Sequence, residues 1–340
     1  MKKTILLLVS IAAFQSGLRA AEDAHEDEIA LVKLRPEVRA SINNALRYIA
    51  AQQKESDGSF GHGTHSTSLA LMAFMLQGHI PGQGEYGEAL EKGISFLISK
   101  GEEQEGYLGS GTHHGSMYEH GLGLLALSEA WGQSKNEKIR PVLRGAVDVL
   151  LRCQNEKGGW RYSPKIMPGD ISVTAMQVVG LCSAREAGIA VPQKSIDKAA
   201  EYMLWCQDEE SGGFGYHGPG GPGFARSAAA SLALMLSGKR EHHSVRRGMA
   251  YLKSQDDSVF DPDAKGVSGS YHYAHYYAIQ AMYQTSEEEL KAWYPKITKR
   301  MLASQDPNGS WSAGPGNVYG TAMSILVLGV PYRYLPIYQR

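Results

Sequence analysis

The sequence predicts an all-α fold in which twelve helices form an (α/α)6 toroid, a ring of inner helices inside a ring of outer helices. Six times a helix-forming segment ends in a short turn that an aromatic residue closes, with a period between 46 and 54 residues. The segments before the turns are amphipathic, whereas those after them are apolar nearly all round, as buried helices are. No sustained alternation of β-branched residues indicates a strand. Two-helix units cannot bury their apolar faces alone, so they must stack, and six of them can close into a ring.

The residues that close the six turns mark the repeats along the chain. They are Phe60, Tyr107, Trp160, Phe214, Phe260 and Trp311. In copies such as RCQNEKGGWRY and ASQDPNGSW a Gln stands shortly before the glycines. We interpret these Gln and aromatic residues as structural, because the Gln amide can satisfy backbone groups of the turn and the ring can pack the helices together.

The first part of the chain predicts export. In residues 1–20, Lys2 and Lys3 precede an apolar stretch at residues 5–14, and small residues follow as a cleavage point, which is the pattern of a secretory signal peptide. The apolar stretch is about half of the roughly 20 residues that span a bilayer. We therefore expect a secreted or periplasmic protein without a transmembrane segment.

The remaining elements follow in chain order. Residues 21–44 are expected to form an acidic leader and then a helix over Leu31–Asn44, and residues 45–340 the toroid. Within the toroid, outer helices carry spaced apolar positions, and inner helices such as MYEHGLGLLALSEAWG are apolar after a polar first turn. The aromatic, Pro-broken tail at residues 332–338 suits a strap across one end of the ring.

The charge balance excludes one class of partner. The chain has 34 basic and 35 acidic side chains. Loss of Lys2, Lys3 and Arg19 with the signal peptide would leave a net charge of about −4, which argues against nucleic-acid binding. No partner protein is identifiable from the sequence.

The repeat pattern carries a family resemblance. The segments from Gln154 to Trp160 and from Gln305 to Trp311 resemble the Gln-Trp repeat of the squalene and oxidosqualene cyclases, whose relatives, the protein prenyltransferase β subunits, share the toroid. The chain looks most like the secreted bacterial prenyltransferase and squalene oxidase repeat proteins. The resemblance implies a toroid with an apolar cavity for an isoprenoid-like ligand, with terpene cyclase-like or transferase-like chemistry if the protein is an enzyme.

Chemistry is expected where the six inner helices begin, because these ends open on one side of the toroid. The candidate catalytic residues there are Asp170, His272, His275, Glu119 and His120. The candidate substrate-binding residues are Arg226, Tyr118, Tyr271, Tyr276, Tyr319 and His65. A cavity lined below by Met, Leu and Tyr, with these titratable groups at its rim, would be a ligand site.

Asp170 has two interpretations. In triterpene cyclases an Asp before a Thr at the start of an inner helix protonates an alkene or epoxide, and the segment Gly169–Ser172 resembles that motif, with one Asp in place of three. The second interpretation is an N-cap, since an Asp at a helix N-terminus is stabilised as its anion.

No cofactor is expected, although zinc is an alternative. The segment YHYAHYYAIQAM resembles the His-bearing helix of the zinc-dependent prenyltransferases, which implies His272 as a ligand. However, Phe224 and Arg226 stand where that family supplies Asp and Cys. A different set would be His272 and His275 with Glu119 or His120.

Two other function classes stay open. Toroids of paired helices also include polysaccharide lyases and glycoside hydrolases, in which His and Tyr move protons and Arg neutralises a uronate. In this chain the residues for those roles would be His120, His272, Tyr276 and Arg226. The third class is a non-catalytic module that binds a lipid or a protein in the same cavity.

Overall fold

A computed structural model describes residues 35–110, 116–264, 269–332 and 335–338. The expected signal peptide and most of the expected leader, over residues 1–34, lie outside these described residues. The chain divides into residues 1–40 and residues 41–340. The described part of the first unit, residues 35–40, is the beginning of a helix, and the second unit contains the repeats.

Twelve α-helices lie in the described residues and alternate between the two rings. The outer helices are α1 (Pro36–Ala50), α3 (Gly87–Glu103), α5 (Ile139–Cys153), α7 (Gln193–Trp205), α9 (His243–Lys253) and α11 (Glu287–Ala303). The inner helices are α2 (Gly63–Leu76), α4 (Ser116–Trp131), α6 (Ile171–Glu186), α8 (Phe224–Leu234), α10 (Tyr271–Thr285) and α12 (Asn317–Leu328). A π-helical turn at Met235–Lys239 continues α8, and 3-10 turns lie at Asp257–Phe260, Val330–Tyr332 and Pro336–Tyr338. Extended pairing in the described residues is limited to the isolated bridges Gln53–Phe60 and Gln207–Phe214.

The inner helices form a closed ring in residues 41–340. Each inner helix packs against the next one along the chain, and α12 packs against α2. The outer helices from α3 onward each pack on the inner helix that precedes them. Inner helices are buried nearly all round, whereas an outer helix such as α5 buries one stripe that includes Val142, Leu143 and Leu150. The (α/α)6 toroid predicted from the repeats is confirmed.

Four repeat Gln residues link neighbouring units. Gln154 Nε2 donates to Gly158 O of its own turn at 2.9 Å and to Ser195 O of the next outer helix at 2.9 Å. Gln53 and Gln207 make the same two kinds of hydrogen bond. The sequence predicted the bond to the turn but not the bond to the next helix. These Gln residues therefore hold the outer ring together as well as closing their own turns.

The last of the four Gln residues closes the outer ring. Gln305 Nε2 donates to Gly309 O at 2.9 Å and to Ser41 O at 3.0 Å, and Ser41 Oγ donates to Gln305 Oε1 at 2.7 Å. The sixth repeat is thus hydrogen-bonded to α1 across 264 positions of sequence.

The aromatic residues of the turns are part of the core, as predicted. Trp160 and Trp311 are 1% and 2% exposed, and their indole N–H groups donate to Leu150 O and Met301 O at the ends of the preceding outer helices. Buried indoles that find such acceptors pack without leaving an unpaired donor.

Helix α1 differs from expectation at its start. It begins at Pro36 and runs without a break to Ala50, so the expected boundary between leader and toroid at residues 44 and 45 falls inside it. The apolar spacing of Val38, Ile42, Ala45 and Ile49 is continuous at helical period, which explains the single helix.

The C-terminal tail contacts the inner ring at the end opposite the helix starts. Ile337 N donates to Glu129 Oε2 near the end of α4 at 3.4 Å, so the described part of the tail lies against that end, as a strap would. None of the helices in the described ranges is long and apolar enough to cross a membrane.

Candidate functional site

A cavity of about 830 Å³ opens where the inner helices begin. Each of the six inner helices contributes lining, together with the turns that precede α8, α10 and α12. The described residues that line it are His65, Tyr118, Glu119, Leu122, Ser172, Met176, Pro222, Gly223, Phe224, Ala225, Arg226, Gly269, Ser270, Tyr273, Pro315, Tyr319 and Met323. The size suits one small-molecule ligand.

One residue from the first turn of each inner helix forms the wall of the cavity. These six residues, here called the cavity positions, are His65, Tyr118, Ser172, Ala225, Tyr273 and Tyr319. Leu122, Met176 and Met323 stand four residues after three of them, so they lie one helical turn deeper on the same face. The floor is therefore apolar and contains the expected Met and Leu, whereas the tyrosines that were expected with them belong to the wall above.

A second set of six residues stands two places after the cavity positions. These residues, here called the tie positions, are Thr67, His120, Thr174, Ser227, His275 and Thr321. All of them are 0% exposed. Thr174 Oγ1 accepts from Trp160 N at 3.1 Å, and Thr67, Ser227 and Thr321 accept from the aromatic residue of their own turn in the same way. The tie positions thus fasten each inner helix to the turn before it.

His120 occupies a tie position and differs from its expected place. Its Nδ1 accepts from Leu108 N at 3.1 Å, and its Nε2 lies 3.1 Å from Ala146 O of α5. The ring therefore accepts a hydrogen bond from its turn, as Thr does at other tie positions. It also makes the hydrogen bond to the next outer helix that the repeat Gln makes elsewhere. Burial lowers the pKa of His120 to about 4, so the imidazole is neutral. This placement favours a structural role over the expected catalytic one.

His275 is the corresponding residue of the fifth repeat. Its Nε2 lies 2.7 Å from Val259 O, and its ring stacks on Phe260 with centroids 5.5 Å apart. Burial lowers the pKa of His275 to about 4. Like His120, His275 does not line the cavity, because its position on the helix faces the outer ring.

Three further candidates lie beside the cavity rather than in its wall. His272 lines a separate hollow of about 260 Å³ that shares Tyr273 and Tyr319 with the main cavity, and burial lowers its pKa to about 4. Tyr271 is buried and donates to Phe260 O at 3.4 Å. Tyr276 is a core residue, 1% exposed, with its ring against Tyr277.

Asp170 is the N-cap of α6, as one of its two interpretations predicted. Its Oδ1 accepts from Val173 N at 2.9 Å, and the residue is 0% exposed and outside the cavity lining. The pKa of Asp170 is raised, because burial outweighs the Val173 hydrogen bond and the charge of Arg161. The backbone N–H groups of the helix N-terminus do favour the anion, as expected, but burial reverses the net direction of the pKa shift.

Glu119 and His65 form a pair within the cavity. His65 Nδ1 lies 3.3 Å from Glu119 Oε1, and Ser110 N donates to Glu119 Oε2 at 2.5 Å. Burial raises the pKa of Glu119, but the hydrogen bonds from His65 and Ser110 outweigh it, so the net pKa is lowered and the carboxylate is ionised. His65 Nε2 is buried and meets no hydrogen-bond partner among the described residues.

The tyrosines of the wall are neutral donors. Burial, with neighbouring ionisable groups adding to it, raises the pKa of Tyr118, Tyr273 and Tyr319, so each keeps its phenolic proton. Tyr118 and Tyr273 meet edge to face, with centroids 6.4 Å apart, and the ring of Tyr319 lies 6.1 Å from that of His65. These rings give the wall broad apolar faces with hydroxyl groups at their edges.

Arg226 stands at the mouth. Its Nη2 donates to Gly221 O at 2.7 Å, and its guanidinium carbon lies 5.8 Å from the centre of the Tyr216 ring. Its Nε is buried without a partner among the described residues.

The structure thus brings together five of the eleven expected site residues. They are His65, Tyr118, Glu119, Arg226 and Tyr319. Sequence reasoning missed Tyr273, Phe224 and the named floor residues. An alignment of the six first turns by helical register would have found Tyr273, since it stands at the same place as His65 and Tyr319. Within the described ranges no group of three His, Cys, Asp or Glu side chains is arranged to hold a metal ion.

Comparisons with known proteins support the fold. The sequence matches no family model, and it matches no curated protein. The structure is similar to that of a D-mannose isomerase, with TM-score 0.64, 15% identity and coverage of 87% of this chain and 96% of the other. It is also similar to an α-1,6-mannanase of Salegentibacter sp. HEL1_6, with TM-score 0.64, 8% identity and coverage of 87% and 98%.

A terpene cyclase is also similar, with a slightly lower TM-score. A variant of the type II terpene cyclase MstE from Scytonema, in complex with its substrate geranylgeranyl dihydroxybenzoate, gives TM-score 0.60, 17% identity and coverage of 88% and 98%. Identities this low show a common toroid and leave the ligand and the chemistry to be argued from the site.

Proposed function

We propose that the toroid binds a small apolar or isoprenoid-like molecule in its central cavity. One observation carries the proposal: the floor consists of Leu122, Met176 and Met323, one turn below a wall of tyrosine rings. When apolar ligand surface packs on such a floor it is removed from water, which stabilises the complex by about 25 cal/mol for each Å² buried. The similar terpene cyclase, which was solved with geranylgeranyl dihydroxybenzoate, supports the same ligand class.

A neutral apolar dye tests the proposal. N-phenyl-1-naphthylamine should fluoresce in the cavity, and geranylgeraniol should displace it. In Met176→Lys a buried ammonium would have to be desolvated, so the affinity of the dye should fall by roughly tenfold or more. The matched control Met176→Leu conserves volume and should bind nearly as the wild type does. Equal affinity in Met176→Lys and Met176→Leu would contradict the proposal.

A second candidate is a glycan-active or sugar-isomerising toroid. It is favoured by the Glu119–His65 pair beside tyrosine hydroxyls and Arg226, a polar set that could contact a sugar. The similar isomerase and mannanase support it at the level of the fold. Native mass spectrometry of protein from its source separates the two, because a retained lipid supports the first candidate and a retained glycan the second. Binding of either without turnover would indicate a module that is not an enzyme.

We also propose that the protein is secreted or periplasmic and belongs to the prenyltransferase and squalene oxidase repeat type. The support is the pattern of residues 1–20 and the Gln-aromatic repeats. Sequencing the N-terminus of protein purified from its source should find a chain that starts near Ala21. A chain that keeps residues 1–20 would contradict export by this signal.

A further inference from the structure

We propose that His65 and Glu119 form a proton-transfer pair, in which His65 Nε2 is the general base for a ligand in the cavity. The inference deepens the proposed function and rests on the cavity being a ligand site. It assigns a reaction class, the removal and return of a proton next to a carbonyl group, and it gives the two residues different roles. His65 would touch the ligand, and Glu119 would be a positioning residue.

The tautomer of His65 follows from its neighbour. An ionised carboxylate only accepts hydrogen bonds. Because the pKa of Glu119 is lowered, its Oε1 at 3.3 Å requires a proton on His65 Nδ1. In the neutral form of the ring, the lone pair then lies on the second nitrogen, Nε2. The carboxylate thus sets which nitrogen is basic.

Both partners are held in place. Ser110 N donates to the second oxygen of Glu119, so the carboxylate cannot turn away from the imidazole. His65 occupies a cavity position on α2, and Glu119 follows the cavity position of the neighbouring helix α4. Two packed helices therefore fix the distance between them, which is what a general base requires.

The basic nitrogen is left for the ligand. His65 Nε2 is buried and has no hydrogen-bond partner among the described residues, while the ring lines the cavity. A buried polar atom without a partner is costly unless something else satisfies it. Among the other histidines of the inner helices, His120 has both ring nitrogens paired. His275 pairs Nε2 with Val259 O, and its Nδ1, which has no partner among the described residues, belongs to a ring outside the cavity lining.

The proposed step conserves atoms and charge. The C–H bond next to a ligand carbonyl breaks, its electron pair forms the C=C bond of an enolate, and the proton moves to His65 Nε2. The carboxylate of Glu119 balances the imidazolium, and Tyr319, whose raised pKa keeps its proton, is a donor beside His65 for the enolate oxygen. Return of the proton to the same or a conjugated carbon restores the neutral ring.

The first test needs no substrate. Nitrogen-15 NMR of the labelled full chain should find His65 as the Nδ1–H tautomer. In Glu119→Gln the preference should weaken, because the charge that stabilises Nδ1–H is gone. The control His243→Gln, a surface residue of α9, should leave the signals of His65 unchanged. A wild-type His65 that is protonated only on Nε2 would overturn the inference.

The second test uses geranylacetone, an isoprenoid ketone, in deuterated buffer. Deuterium should enter the carbons next to its carbonyl faster with the wild type than with His65→Gln by on the order of a hundredfold, as general bases typically contribute. Glu119→Gln should be intermediate and His243→Gln should equal the wild type. Equal exchange by wild type and His65→Gln would overturn the inference.

Dye binding separates this failure from failure of the proposed function. In one outcome, N-phenyl-1-naphthylamine binds the wild type and geranylacetone displaces it, but deuterium exchange is as fast with His65→Gln as with the wild type. Only the proton-transfer pair is then wrong. If neither molecule binds, the cavity is not an apolar site and both ideas are overturned. Retained dye binding in His65→Gln and Glu119→Gln also verifies that the variants are folded.

Discussion

The cavity positions and the tie positions lie two residues apart on the same six helices, yet they serve different purposes. Two residues of an α-helix are separated by about 200° around its axis, so the two sets face opposite ways. The cavity positions vary from Ala225 to Tyr319 and meet the central hollow. The tie positions are all fully buried and are bonded to the turns. The role of a titratable residue at the mouth of this toroid can therefore be assigned only when it is known whether its helical position faces the cavity or the turns.

The largest expected effect on stability is at His120, a tie position. His120→Ala would leave Leu108 N–H and Ala146 C=O unpaired in the interior and would leave a void. The free energy of unfolding should fall by about 4 kcal/mol. The matched change at a cavity position, His65→Ala, should cost less than about 1 kcal/mol. Urea denaturation of both variants measures the difference, and equal losses would show that register does not separate the two roles.

Glu129 lies at the end of the inner ring opposite the cavity and can be compared with the cavity positions. This residue stands eleven places after Tyr118, on the same face of α4, and its Oε1 accepts from Ser183 Oγ at 2.6 Å. Burial raises the pKa of Glu129 to about 7. The folded protein thus holds a proton that the unfolded chain releases above its ordinary carboxyl pKa of 4.5. Stability should therefore fall as pH rises from about 4.5 to about 7, by up to about 3 kcal/mol.

Glu129→Gln should remove that part of the pH dependence. Its free energy of unfolding relative to wild type should be higher at pH 8 than at pH 5, because Gln has no proton to lose. Guanidinium titrations at the two pH values provide the measurement. An identical pH dependence in the two proteins would mean that Glu129 ionises freely in the folded state.

A smaller loss is expected at a tie-position threonine. Thr321→Val keeps the shape but removes the oxygen that accepts from Trp311 N at 3.0 Å, so a buried N–H is left unpaired. The cost should be about 2 kcal/mol. Tyr319→Phe, at the cavity position of the same helix, should stay within about 0.5 kcal/mol of wild type. Thermal denaturation followed by circular dichroism compares them, and a Tyr319→Phe loss as large as that of Thr321→Val would refute the assignment.

The smallest effect is expected at Asp170, which belongs to neither set. Asp170→Asn keeps the oxygen that accepts from Val173 N, so stability should change by less than about 0.5 kcal/mol, whereas Asp170→Ala should cost about 1 kcal/mol. The same denaturation experiment applies. A large loss of catalytic rate in Asp170→Asn, with its stability unchanged, would instead restore Asp170 as an acid.

The sequence predicted the toroid well because the fold is encoded in a repeated, local pattern. Apolar periodicity, aromatic turns and buried inner helices recur in the six copies, and four of the copies also have the linking Gln. The second repeat departs from the pattern because His120 replaces both a threonine and the glutamine link to the next helix. That substitution has no signal in a single chain, because its two partners are backbone groups of other elements.

The candidate site was predicted less well for a geometric reason. A polar residue at a helix start can face the cavity, the turn or a neighbouring helix, and the candidates on α4 and α10 are spread over these different faces. Glu119 and His65 lie in different repeats and meet only because α2 and α4 are neighbours in the ring. Tyr273 stands between His272 and His275, and of these three residues it is the one whose register reaches the cavity.

The hydrogen bonds between Gln305 and Ser41 have a consequence for how the chain reaches its native state. They join segments 264 positions apart, so a nascent chain on the ribosome cannot complete the ring until its sixth repeat has been synthesised. An arc of five repeats would leave exposed the faces of α2 and α10 that α12 covers, and exposed apolar faces are what chaperones bind. Folding of this protein should thus be limited by a single late closure event.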